Sequence, residues 1–172
     1  MDGSIQVYYG EGRGKTTAAL GLGIRAAGMG KQVIMVQFLK CKHSDTLDFL
    51  KKLEPELQIF RFAKAACAYS DMDEEERQEQ LSNIRMALGY TRKVLDTGQC
   101  DLLILDEIFG LIDYNIITMD DLRELLAARK ESTDLILTGR NLPEEIRDIA
   151  DCIYYIHTEK EQAGEILRSG TE

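Results

Sequence analysis

The run Gly10-Glu11-Gly12-Arg13-Gly14-Lys15-Thr16-Thr17 constrains this chain more than any other feature. The residues before it, Ile5–Tyr9, read as a strand. The residues after it, Lys15–Met29, are rich in Ala and Leu and read as a helix closed by Gly28 and Gly30. A glycine-rich turn that ends in Gly-Lys-Thr between a strand and a helix is the context of a phosphate-binding P-loop. The strict pattern G-x-x-x-x-G-K-[ST] would place its first glycine at Tyr9; here glycines stand at 10, 12 and 14 instead. The physical demand is still met. Glycines let the main chain curl so that successive N–H groups converge on an anion, and the helix adds its positive N-terminal end. Gly10, Gly12, Arg13, Gly14, Lys15, Thr16 and Thr17 are therefore the candidate phosphate-binding residues. Lys15 can reach the terminal phosphates, Thr16 can place its hydroxyl on Mg²⁺, and Arg13 is a second cation in the turn.

A second segment has the matching form. In Asp101-Leu-Leu-Ile-Leu-Asp106-Glu107 a buried strand over Asp101–Leu105 delivers two carboxylates at its C-terminal end, where ligands bind in open α/β sheets. One of Asp106 and Glu107 can hold Mg²⁺ or its waters while the other orients them. A third strand end, Leu137-Thr-Gly-Arg-Asn141, offers Arg140 to a phosphate or another polar group.

Between these points strands and helices alternate. Gln32–Leu39, Leu57–Phe62, Asp134–Thr138 and Cys152–Ile156 read as further strands. Asp45–Leu53, Asp73–Thr97, a segment from Thr118 to Arg129 and Pro143–Ala150 read as helices, while Ala63–Met72 reads as a loop. Gly98 is placed to end the long helix, and Thr118 with Asp121 forms a capping pair. Runs such as Val33-Ile-Met-Val36 and Leu102-Leu-Ile-Leu105 suit parallel strands buried on both faces. The expected fold is α/β, a mostly parallel central sheet with helices on both faces, in one domain over residues 1–172.

Composition narrows the partners. A formal net charge of −9 argues against nucleic acid or an anionic membrane as the main partner. No apolar run approaches the roughly 18 residues of a membrane span. Cys41, Cys67, Cys100 and Cys152 form no C-x-x-C pair, as expected for reduced thiols in a cytoplasmic protein. On these residues alone, a P-loop ATPase or phosphotransferase, a nucleotide-binding regulator and a transferase using ATP all remain open.

The motifs taken together resemble a known family. Gly10-Glu-Gly-Arg-Gly-Lys-Thr-Thr-Ala-Ala-Leu-Gly-Leu, Arg25-Ala-Ala-Gly-Met-Gly-Lys, Val36-Gln-Phe-Leu-Lys40, Leu103-Ile-Leu-Asp-Glu-Ile108, Leu137-Thr-Gly-Arg-Asn141 and Ile149-Ala-Asp151 are similar, in order, to the ATP:corrinoid adenosyltransferases. The resemblance implies a RecA-like P-loop fold, commonly dimeric. It implies transfer of the 5′-deoxyadenosyl group of ATP to the Co(I) of a reduced corrinoid, with tripolyphosphate released and an external reductase supplying electrons. It implies Lys15 and Glu107 as catalytic residues, Mg²⁺ on Thr16 and Glu107, and Asp106 as a ligand or its close support. An aromatic wall beside the corrinoid would be supplied by Phe62 and Tyr69.

Overall fold

The computed structural model describes residues 3–39, 50–62 and 69–160. The expected helix over 45–53 lies mostly outside them, as do Cys41, Cys67 and most of the expected loop. Among the described residues the strands and α-helices are β1 Ile5–Tyr9, α1 Lys15–Gly28, β2 Val33–Gln37, β3 Leu57–Arg61, α2 Glu74–Thr97, β4 Leu102–Asp106, α3 Ile108–Asp113, α4 Met119–Ala127, β5 Asp134–Gly139, α5 Glu144–Arg147 and β6 Cys152–Tyr155, with single 3-10 turns at Lys51–Leu53 and Tyr69–Asp71. All strand pairings are parallel, and the order across the sheet is β3-β2-β4-β5-β1-β6. β5 thus stands between the strand that leads into the glycine-rich turn and the strand that carries the acids.

Side chains alternate between the two faces of a strand, and two apolar layers result. Val33, Met35, Leu57, Leu102, Ile104 and Ile136 pack against Ala19 of α1. Ile34, Val36, Leu103, Leu105, Leu135 and Leu137 pack against Ile84, Val94, Phe109, Leu122 and Ile146 from α2 to α5. Among the described residues, one helix therefore covers one face and four cover the other. Continuing the rows on the α1 face by one more step reaches Gln37, Arg61, Asp106 and Thr138. The pleat alone brings these four polar side chains to the same side of the sheet, at its carboxyl end.

The amino end of the sheet is stitched by aspartates that follow the same logic as a helix cap. Asp101 accepts from the Gln32 N–H at 2.8 Å, Asp134 from the Ser4 N–H at 2.9 Å, and Asp151 from the Ile5 N–H at 2.7 Å. Burial works to raise the Asp134 pKa, but the Ser4 N–H, the Lys31 ammonium and the Ser4 hydroxyl outweigh it and hold the carboxyl below its ordinary value. A depressed folded pKa gives stability that is present above the unfolded value, about 3.9, and is lost as pH falls through the folded one. Asp134→Asn is accordingly expected to lower the urea midpoint at pH 7. The gap from wild type should close as the comparison moves towards pH 3.

The long helix begins where the local chemistry puts it. Asp73 accepts from the Glu76 N–H at 2.9 Å and Glu76 accepts from the Asp73 N–H at 3.1 Å, a reciprocal capping box, and Gly98 ends the helix at φ 64°. Thr118 and Asp121 form the same box before α4. Replacing Asp73 by Ala should cost about 1 kcal/mol, read as a fall of roughly 2–4 °C in the thermal midpoint.

Strand ends shift by a residue or two from the sequence reading, as where β2 runs Val33–Gln37 rather than Gln32–Leu39 and β4 Leu102–Asp106 rather than Asp101–Leu105, and the helices differ more. α4 ends at Ala127 rather than Arg129, and α5 is a single turn over Glu144–Arg147 with Pro143 at its N-cap. α3 was not expected at all. Ile108, Phe109, Gly110 and Leu111 are all buried, so the segment lacks the amphipathic period by which a helix is recognised.

Candidate active site

The glycine-rich turn leaves β1 at the carboxyl end of the sheet and enters α1 directly. Gly10 has φ 122°, and a Cβ there would stand 2.2 Å from the Ile156 carbonyl oxygen. Only glycine fits that position. The Gly10 N–H donates to the Arg140 carbonyl at 3.0 Å and the Gly12 N–H to the Ile156 carbonyl at 3.1 Å, so the turn is anchored on the exits of β5 and β6. Gly14, at φ 110°, is the N-cap of α1, and no side chain caps the helix. The first-turn amides of such a helix have no intrahelical acceptor and form an anion-binding end.

Lys15 is only 8% exposed. Its ammonium donates to the carbonyls of Gly10 at 2.7 Å and Gly12 at 3.0 Å, closing the turn into a ring around a cation. Thr16, one residue on, reaches across to β4: its hydroxyl lies 2.9 Å and 3.1 Å from the two carboxylate oxygens of Asp106. Asp106 is fully buried. It also accepts from Thr138 Oγ1 at 2.8 Å and from Gln37 Nε2 at 2.9 Å. The Thr138 hydroxyl in turn accepts the Glu107 N–H at 2.8 Å. Glu107 has φ 61°, unusual for a residue with a Cβ, and this conformation turns the chain from β4 into α3.

The structure therefore brings Gly10, Gly12, Gly14, Lys15, Thr16 and Asp106 into one cluster, with Glu107 next to it. Thr17 is exposed on the first turn of α1, and Arg13 is exposed on the turn. Arg140 touches the turn through its carbonyl; its residue surface is exposed. Phe62 and Tyr69 are not stacked as a pair. Phe62 lies 6.0 Å from the ring of Tyr90, and Tyr69 lies 5.0 Å from the ring of Tyr114. Among the described thiols, burial first and Asp101 second push Cys100 up to about 12, which leaves it a poor nucleophile. Gln37, Arg61 and Thr138 were absent from the sequence-based site. Gln37 and Thr138 did stand inside motifs that were singled out there.

The donor set fits Mg²⁺. A hard divalent cation takes oxygen ligands, and the Thr16 hydroxyl that donates to Asp106 keeps lone pairs for an ion. No helix among the described residues is long and apolar enough to cross a membrane.

The model of the family described as ATP:corrinoid adenosyltransferase BtuR/CobO/CobP matches residues 1–172. The chain belongs to that family. It is 30% identical over 88% of its length to the corrinoid adenosyltransferase of Escherichia coli strain K12, covering 74% of that protein. Identity and coverage are the same for the corrinoid adenosyltransferase CobA of Salmonella typhimurium strain LT2. Among solved structures, domain III of the Thermotoga maritima replication initiation protein DnaA aligns with 91% of this chain and 55% of that one, at 14% identity and a TM-score of 0.43. The assignment does not rest on it. As a corrinoid adenosyltransferase the protein is an enzyme, built on a P-loop α/β fold.

Proposed function

We propose that this adenosyltransferase moves the 5′-deoxyadenosyl group of ATP onto the Co(I) of a reduced corrinoid and releases tripolyphosphate. The observation that carries the reading is the meeting of Lys15, Thr16 and the amino end of α1 with the Asp106 carboxylate across the sheet. Co(I) supplies an electron pair to C5′, the cobalt–carbon bond forms, and the C5′–oxygen bond breaks with its electrons left on the triphosphate. Cobalt is itself the nucleophile, so no serine, cysteine or histidine is required for that role.

The protein's task is alignment and charge. Holding cobalt, C5′ and the leaving oxygen in line can supply roughly 7–11 kcal/mol of the barrier. Lys15 and the amides at the start of α1 hold the charge that grows on the departing triphosphate. Thr16, Asp106 and Glu107 would hold Mg²⁺, which supplies further neutralisation of that charge. Arg140 and Arg13 flank the phosphate path, and Thr17 adds a hydroxyl to it. Tyr69 and Tyr114, the latter 46% exposed, form an aromatic surface that suits the corrinoid face, and Phe62, packed on Tyr90 just past β3, would supply a second aromatic group. Such an apolar surface helps strip the lower axial ligand from Co(II), which eases its reduction. We infer also a homodimer in the cytoplasm, served by a separate electron-donating reductase; family membership supports these points.

The test is a product assay. The protein is incubated with ATP, Mg²⁺ and chemically reduced cobalamin, and the cobalt–carbon bond is followed by absorbance and the inorganic product by chromatography. Equal amounts of alkylated corrinoid and tripolyphosphate are expected. Orthophosphate release that ignores the corrinoid would sink the proposal in favour of an ATPase.

A further inference from the structure

Gln37 belongs to the Val36-Gln-Phe-Leu-Lys40 motif, yet nothing in the reaction above uses it. It is 3% exposed, on a strand flanked by β3 and β4. The register sets Gln37 directly opposite Arg61 on one side and Asp106 on the other. Arg61 donates to Gln37 Oε1 from Nη2 at 2.7 Å and from Nε at 3.3 Å, and Gln37 Nε2 donates to Asp106 Oδ2 at 2.9 Å.

The orientation of this amide is dictated by its neighbours. A guanidinium can only donate and a carboxylate can only accept, so the oxygen must face Arg61 and the N–H₂ must face Asp106. Asp106 has two other donors, Thr16 and Thr138, and both are hydroxyls that rotate to suit their partners. Gln37 is the donor whose direction is fixed, because a charged group clamps its far end. The neutral amide also keeps the guanidinium one residue away from the carboxylate, so Asp106 is oriented without being neutralised by a direct ion pair.

We infer that Gln37, clamped by Arg61, is a positioning residue that sets the Asp106 carboxylate for the divalent cation at Thr16. The inference rests on the reading of Asp106 as part of the Mg²⁺ site. It acts on the cation-dependent part of nucleotide binding and leaves the contacts of the glycine-rich turn with phosphate untouched.

Calorimetric titration with ATP, in Mg²⁺ and separately in EDTA, reads those two parts independently of turnover. In Gln37→Met, which keeps the length of the side chain and loses both polar ends, the affinity in EDTA should stay within about twofold of wild type. The gain that Mg²⁺ brings should shrink by about tenfold, the scale of a hydrogen bond to a charged group. Arg61→Met removes the clamp on a less buried residue and should give a smaller loss of the same gain, about threefold; it carries the test if the first variant does not fold. An undiminished Mg²⁺ gain in the folded variants, or equal losses with and without the ion, would overturn the inference. A wild-type affinity indifferent to Mg²⁺ would remove the metal site and the inference with it. Wild type that gains normally beside variants that gain equally would defeat the role of Gln37 alone.

Discussion

Lys15→Ala should lower kcat/KM for adenosyl transfer by about 10²–10³, the loss seen when one preorganised stabiliser of developing charge is removed, while the thermal midpoint stays within a few degrees of wild type. The separation of the two effects follows from what the side chain does. In the fold, the ammonium serves the carbonyls of Gly10 and Gly12. Removing it withdraws a donor from those two oxygens, a cost of about 1–3 kcal/mol. It also removes the cost of burying a cation, so the two terms oppose each other. In the reaction nothing offsets the loss, because the triphosphate leaves with charge that has to be met where it appears. Arginine should not rescue the variant. An ammonium is a compact point charge, whereas the guanidinium fork is broad and planar, and the ring formed by residues 10–15 closes at 2.7 Å and 3.0 Å. Steady-state kinetics with reduced cobalamin, set beside thermal unfolding, checks both halves. Wild-type turnover in Lys15→Ala would take the turn out of the mechanism.

The sequence carried the local part of this site and missed the part that depends on register. Gly10 to Thr16 could be read because a glycine-rich turn between a strand and a helix is written in consecutive residues. Asp106 could be read because it ends an apolar run. The capping boxes at Asp73 and Thr118 are equally local, and both are present. The roles of Gln37, Arg61 and Thr138 could not be read in this way. They arise because β3, β2, β4 and β5 lie side by side, and periodicity along one strand does not say which strand is its neighbour. Given the order of the sheet, all three follow from the two-residue repeat, since each extends an apolar row on the α1 face. The left-handed Glu107 is a different case. Its conformation follows from the turn into α3, a helix whose first four residues are all buried and so show no amphipathic period.

Asp106→Asn is expected to give the second large effect, with loss of turnover by about 10² or more and a thermal midpoint unchanged or raised. Asp106 is wholly buried, and the donors found on it among the described residues, Thr16, Thr138 and Gln37, are all neutral. A carboxylate held so deeply by neutral donors is costly to the fold, so an isosteric neutral group relieves that cost. The hydrogen bonds can be rearranged to suit. The clamped Gln37 amide cannot reverse, so the oxygen of the introduced asparagine must face it and the new N–H₂ must face Thr16 and Thr138. Both are hydroxyls and can accept as well as donate. The Thr16 hydroxyl then spends a lone pair on the new amide, and the site loses both a charge and an oxygen for the cation. ATP affinity should consequently respond much less to Mg²⁺ in the variant, while affinity in EDTA changes little. Calorimetry and thermal unfolding on the same preparation decide the matter. A folded variant that keeps full turnover and the full Mg²⁺ response would show that Asp106 is a structural residue and that the cation is held elsewhere.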